Sequence, residues 1–229
     1  MAAQISIISS MATRQLLADL AARFQQDSAD RVSIESVGGV DAAKRVQAGE
    51  AFDAVVLAAN VIDQLIAAGR VAAGSRVDLV RSGVAVAVRA GAPRPDIGSE
   101  EAVKRAVLGA RSLSYSTGPS GVHLMKVFER WGIAGDIQGR IVQAPPGVPV
   151  GSLVASGEVE LGFQQLSELM NLPGIAVLGP LPPAIQIITT FSAGLAATST
   201  QPEAVRALLA FMASPAVAEA KRNNGMEPA

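Results

Sequence analysis

The residues of this chain best suited to binding chemistry are short clusters of hydroxyls and backbone amides. Four stretches combine small residues with hydroxyls or glycines and hold no carboxylate: Ser9-Ser10, Gly38-Gly39, Ser116 to Gly121, and Pro146-Gly147. The third is the most informative. Ser114-Tyr115-Ser116-Thr117-Gly118-Pro119-Ser120-Gly121-Val122-His123 runs from a predicted strand into a helix. Leu124, Val127, Phe128 and Trp131 follow at i, i+3, i+4 and i+7, one helical stripe, and Gly132 stands where a helix-ending glycine belongs. Pro119 suits the first turn, where its missing N–H would have no partner anyway. The amides of Ser120, Gly121 and Val122 are then expected to point out of a helix N-terminus, which carries partial positive charge and attracts anions. The alternative is a strand-to-helix turn whose serine or threonine only caps the helix.

Arg14 falls in the first turn of its predicted helix, where a cation is mildly unfavourable against the dipole. It reads either as a bidentate carboxylate reader or as an exposed surface arginine. Lys44 and Arg45 read as a solvated helix face. His123 flanks the apolar stripe and reads as surface or as a proton-transfer group. Gln164 and Gln165 end an apolar strand, and a buried amide must be hydrogen-bonded, so at least one is expected to face a ligand. The candidate ligand-binding set is Ser9, Ser10, Met11, Arg14, Gly38, Gly39, Val40, Ser116, Gly118, Ser120, Gly121, His123 and Gln165; were the protein an enzyme, His123 is the catalytic candidate. With no cysteine and one histidine, thiol catalysis and multi-histidine metal sites are excluded. The dinucleotide and P-loop glycine motifs are missing, so no cofactor and no metal are expected.

The elements that must position these turns follow a regular order. Gln4 to Ile8, Val32 with Ile34, and Phe52 to Ala58 read as strands. Helices follow them: one with Leu16, Leu17, Leu20 and Phe24 on one face, one beginning at Asp41 and stopped by Gly49, and one over Val61 to Ala68 with Asn60 as N-cap and Gly69 closing it. Three strand–helix units predict a doubly wound α/β sheet, in which ligands bind at strand carboxyl ends. Further strands are expected at Ser82 to Ala90, Arg111 to Ser116, Arg140 to Gln143, Glu160 to Gln165 and Gln186 to Ala197. Helices are expected from Ser99, around Val150 to Val154, and over Pro202 to Met212 and Pro215 to Lys221. Gly91 to Pro95 reads as the crossing between two domains. Val46 to Asp53 resembles Val154 to Glu160, a helix end, a Gly-Glu turn and an acid opening a strand, which suggests two similarly built lobes. The lobes are assigned to residues 1–85 with 190–229, and 86–189.

The 229 residues are 49% hydrophobic and 17% charged, a globular composition. A net charge of −1 argues against a nucleic-acid surface, and no apolar run approaches a membrane span. Residues 1–9 lack the features of an export signal, so the protein is expected in the periplasm if a leader has been removed and in the cytoplasm otherwise.

The chain resembles the type II solute-binding proteins, and most of all the molybdate-binding component of ABC transporters. The resemblance rests on Ile7-Ile8-Ser9-Ser10, Val46-Gln47-Ala48-Gly49-Glu50 before Phe52-Asp53, Ser156-Gly157-Glu158 before Gly162-Phe163, Gly118-Pro119-Ser120-Gly121, and Gly225-Met226-Glu227-Pro228. It implies two Rossmann-like lobes with a cleft between them, a small anion held by hydroxyls and backbone amides, and roles for Ser9 or Ser10, Gly39, Ser120 and Gln165. It also implies a monomer working with an ABC-transporter permease. This chain departs from that family's pattern: Gly38-Gly39 replaces a serine-rich turn, Gln165 stands where a tyrosine is common, and Arg14 adds a cation. These departures favour a carboxylate or other organic anion over molybdate. Relatives on the same scaffold include an isomerase of a small tricarboxylate, aconitate isomerase, which is the alternative function. A transcription-regulator effector domain shares the bilobal fold but normally follows a helix-turn-helix segment.

Overall fold

A computed structural model describes residues 2–145 and 147–229. The chain forms two compact units: residues up to Ser82 together with Thr189–Ala229, and Gly83–Ile188.

The first unit opens with β1 (Gln4–Ser10), a single turn of 3-10 helix at Met11–Thr13, and α1 (Arg14–Asp27). β2 (Arg31–Val37), α2 (Gly39–Gln47), β3 (Ala54–Ala58) and α3 (Ala59–Ala67) follow. β1 lies between β2 and β3, parallel to both. β3 is fully buried, which is why its sequence is a near-continuous apolar run. Ile5, Ile7, Ala54 and Val56 pack on one side with Leu16, Leu17 and Leu20 of α1. Ile8, Val55 and Leu57 pack on the other with Val46, Ile62 and Leu65 of α2 and α3. β3 runs directly into α3 through Ala58, so Asn60 lies inside the first helical turn and does not cap it.

β4 (Val77–Arg89) begins in the first unit and continues into the second. Gly91 to Pro95 therefore lie wholly within the second unit, and the units divide at Ser82–Gly83 inside a strand. Then come α4 (Glu100–Gly109), β5 (Leu113–Tyr115), α5 (Pro119–Arg130), α6 (Ala134–Ile137), α7 (Val150–Ser156), β6 (Leu161–Gln165), α8 (Leu166–Leu169) and β7 (Ile175–Pro180). β5 and β6 are parallel, and β4 is antiparallel to both β6 and β7. Val86, Leu113, Leu161 and Phe163 pack against Val103, Leu124 and Phe128 of α4 and α5. The strand expected at Arg140 to Gln143 is not formed. Arg140 closes a 3-10 turn, and Ile141 makes only an isolated bridge to Leu113 at the edge of β5.

β8 (Ile188–Leu195) returns to the first unit antiparallel to β3, and α9 (Pro202–Ala213), α10 (Ala218–Asn223) and β9 (Glu227–Pro228) complete it. Leu208, Met212 and Ala220 join the core beside α1.

The internal repeat is structural as well as sequential. Gly49 and Gly157 both end a helix with φ near +87° and +85°, a left-handed conformation that favours glycine. The acid after each glycine turn then closes the start of the neighbouring parallel strand. Asp53 Oδ2 accepts from the Ser6 amide of β1 at 2.9 Å, and Glu160 Oε2 accepts from the Arg111 amide before β5 at 2.7 Å.

Candidate anion-binding turns

In the first unit, parallel register brings the carboxyl ends of β1 and β2 side by side, with Ser9 opposite Ser36 and Ser10 opposite Val37. The Ser9 and Ser36 hydroxyls are hydrogen-bonded at 2.8 Å. Ser10 caps the 3-10 turn: its Oγ accepts from the Ala12 amide at 3.2 Å, while Thr13 Oγ1 donates to its carbonyl. The Ser10 hydroxyl hydrogen has no acceptor among the described residues, although the residue is buried. The Gly38-Gly39 turn lies against it, since a Cβ added to Gly39 would sit 3.7 Å from Ser10 Cβ. Gly38 is the N-cap of α2 and makes no side-chain capping bond, so the Gly39 and Val40 amides are open helix-terminal donors. Ser9, Ser10, Gly38, Gly39 and Val40 thus converge, with Met11 at the start of the adjoining turn.

Ser36 was not anticipated; its place at the end of β2, in register with Ser9, was the available signal. The expectation that these turns carry no carboxylate holds only as far as Val40. Asp41 stands in the first turn of α2, with Oδ2 3.3 Å from where a Gly38 Cβ would be. Arg14 is the first residue of α1 and exposed, with no partner among the described residues. Arg45, by contrast, is occupied by Glu35 and Glu50, and the hydrogen bonds its guanidinium donates lower both carboxyl pKa values.

In the second unit, β5 and β6 end together, Tyr115 opposite Phe163. Ser116 Oγ accepts from the Gly118 amide at 3.1 Å and tightens the turn into α5. Of the three amides expected to be open there, two are not: Gly121 and Val122 both donate to the Gly118 carbonyl, at 3.0 and 3.2 Å. The turn winds so closely that Gly118 serves as acceptor for both. Ser120 remains. It is buried, and neither its amide nor its hydroxyl has a partner among the described residues. Gly121 packs against the Ser116 carbonyl oxygen, which lies 1.6 Å from the position of an added Cβ, so only glycine fits there. Phe128 holds α5 down through edge contacts to Tyr115 and Phe163, with ring centroids 6.2 and 6.1 Å apart.

His123 is exposed, with no partner among the described residues to orient it. Gln165 is buried at the end of β6. Gln164 has a structural role: its Oε1 accepts from the Gly151 amide at 3.1 Å, and its Nε2 donates to Glu168 Oε1 at 2.8 Å. The Pro146-Gly147 turn lies partly outside the described residues. Among the described residues no cluster of three or more His, Cys, Asp or Glu side chains could hold a metal ion.

A family model described as bacterial extracellular solute-binding protein matches residues 5–227. An aconitate isomerase from Pseudomonas sp is 42% identical over 185 residues, which cover 80% of this chain and 70% of that protein. Among solved structures, the periplasmic molybdate-binding protein of Azotobacter vinelandii is similar with a TM-score of 0.80 at 20% identity, covering 97% of this chain and 98% of its own. A sulfate-binding protein from Mycobacterium tuberculosis H37Rv also gives 0.80, at 15% identity over 99% of this chain and 87% of its own. These two likenesses establish a periplasmic binding protein fold for the chain.

Proposed function

The chain belongs to the bacterial extracellular solute-binding protein family, and we propose on that premise that it captures a small anion with uncharged hydroxyl and amide donors at helix starts. One observation carries this reading: hydroxyls of two buried serines at helix starts have hydrogens to donate and no acceptor among the described residues. Ser10 beside Gly39, and Ser120 at the head of α5, are those groups. Helix-terminal amides and neutral hydroxyls bind anions without a full countercharge.

The ligand is an organic anion carrying carboxylates. Val40 is 43% exposed and Val122 55% exposed, one beside each donor turn. An apolar side chain held in water next to an anion site suits a hydrocarbon skeleton better than a bare oxyanion. Arg14 supplies a cation suited to a carboxylate. A solute-binding protein of this family would deliver its anion to an ABC-transporter permease from the periplasmic side. No helix among the described residues is long and apolar enough to cross a membrane.

A second reading, isomerase, is favoured by the 42%-identical relative named as an aconitate isomerase. It requires a group that removes and returns a proton, and His123 lacks an orienting partner for that role. Calorimetric titration with molybdate, sulfate, citrate and both aconitates tests the binding reading; tight binding of a carboxylate supports it, and silence from all five refutes it. Following cis-aconitate by NMR with the protein present tests the other: appearance of the trans isomer makes the protein an enzyme, and an unchanged spectrum under saturating binding excludes that activity.

A further inference from the structure

Of the three helix starts that carry the donors described above, only one also carries a carboxylate. The turn after Ser10 and the first turn of α5 hold no acidic residue, whereas the first turn of α2 holds Asp41. Gly38 is the N-cap there, Gly39 and Val40 follow, and Asp41 is third. Its Oδ2 lies 3.3 Å from where a Gly38 Cβ would stand, so the side chain folds back towards the open end of the helix. The same turn packs on Ser10, which is 7% exposed and has a hydroxyl hydrogen without an acceptor among the described residues.

A carboxylate at this helical position ordinarily reaches back to the N-cap amide. Asp41 does not: it makes no hydrogen bond or ion pair among the described residues. Lys44, one turn further along α2, is not paired with it, and Arg45 is held by Glu35 and Glu50. The result is an exposed carboxylate with free acceptor oxygens beside the Gly39 and Val40 amides. Arg14, four residues after Ser10, is exposed and equally without a partner. The first unit therefore offers a ligand several donors and one charged acceptor. A bare oxyanion such as sulfate presents acceptors only, so Asp41 repels it. A carboxylate whose neighbouring carbon bears a hydrogen-bond donor satisfies both kinds of group. Its oxygens accept from the amides and the Ser10 hydroxyl, and its donor meets Asp41 in a charge-assisted hydrogen bond.

We propose that Asp41 is the specificity-determining residue of the first unit's donor turns. It selects anions that pair a carboxylate with an adjacent hydroxyl or ammonium, and it rejects anions that present acceptors alone. This rests on the reading above that an anion docks on the Gly39 and Val40 amides. An acid in a first helical turn also complements the helix dipole, a role that would show in stability and leave ligand preference untouched. Replacing the carboxylate by the neutral amide of the same shape separates the two roles.

Titration calorimetry of the intact protein, at fixed pH and ionic strength, compares acids that differ only in the donor. L-malate and L-aspartate are set against succinate, and citrate against tricarballylate. The expected result is that wild type binds a donor-bearing acid about tenfold or more tightly than its donor-free partner, the size of one hydrogen bond to a charged acceptor. In Asp41→Asn that preference falls to about threefold or less, and sulfate binds about tenfold more tightly than to wild type because the repelling charge is gone. Malate tighter than aspartate identifies the donor as a hydroxyl, and the reverse order identifies an ammonium; either supports the proposal. Equal affinity of wild type for partnered acids, or a preference that survives in D41N, overturns the proposal alone. A lower Tm of D41N with unchanged preference does the same, leaving Asp41 a dipole partner only. Binding of other anions but none of these five acids also overturns it alone. If no anion binds wild type, the proposal and the binding reading fall together.

Discussion

Replacing Gly121 by alanine tests whether the head of α5 is built as tightly as its geometry implies. The new Cβ would fall 1.6 Å from the Ser116 carbonyl oxygen and 2.8 Å from its carbon. To reach even 3.0 Å, a separation that real Cβ atoms almost never undercut, backbone must part by about 1.4 Å. No rotamer relieves this clash, because both sides are main chain. The Ser116–Gly118 turn must open or α5 must slide, and Phe128, packed on Tyr115 and Phe163, resists the slide. Overpacking a well-filled site costs about 1–3 kcal/mol, and a backbone clash belongs at the upper end. For a chain of this size about 3 kcal/mol lowers Tm by about 6–12 °C. Gly109→Ala is the matched control: it lies at the end of α4, its Cβ would meet nothing within 4 Å, and it should be neutral or stabilising by up to about 1 kcal/mol. Thermal melts and urea curves of the two variants give the comparison. Equal stability of G121A and wild type would refute the account of this turn.

Other predictions follow from individual polar and charged side chains. Asp53→Ala removes the acceptor for the Ser6 amide and hydroxyl and for the Ser199 hydroxyl; stranding such donors costs about 1–3 kcal/mol, readable as a lower urea midpoint, and an unchanged midpoint would contradict it. Lys221 is buried at 2% exposure, and desolvation lowers its pKa. Its protonated form is therefore penalised in the folded state, so Lys221→Met should raise Tm at neutral pH. The gain should shrink as pH climbs through the lowered pKa towards the free-lysine value of about 10.4, because wild type then sheds the charge; a gain independent of pH would argue against a buried ammonium. Arg14→Ala should weaken carboxylate binding about tenfold, the loss expected for roughly 1.4 kcal/mol, with no change in Tm, since Arg14 contacts no partner among the described residues.

Much of the fold was legible because its signals are local. The stripe of Leu124, Val127, Phe128 and Trp131 and the apolar run before Ala58 mark helix and buried strand on periodicity alone. The Gly-Glu repeat marks equivalent corners, and the structure adds the strand-closing bonds of Asp53 and Glu160. What was missed depends on partners distant in sequence. Ile141 had strand-like neighbours but found only a single bridge on Leu113, and β7 needed β4 to define it. At the site, residue types marked Ser9, Ser10, Gly39 and Ser120. Ser36 emerged only from the register of β2 on β1. The closure of the Gly121 and Val122 amides onto Gly118 depends on how tightly one turn winds, which composition does not encode.

The central claim is that an anion docks on the donors at these strand ends. Backbone amide NMR of the labelled protein, titrated with the tightest anion of the calorimetric panel, tests it most directly. The largest saturable shifts are expected at the donor turns, at Gly39 or at Ser120. Shifts confined to the groove lined by Ala43, Lys44, Gln47, Val61 and Gln64 on α2 and α3, with Gly39 and Ser120 unmoved, would contradict it.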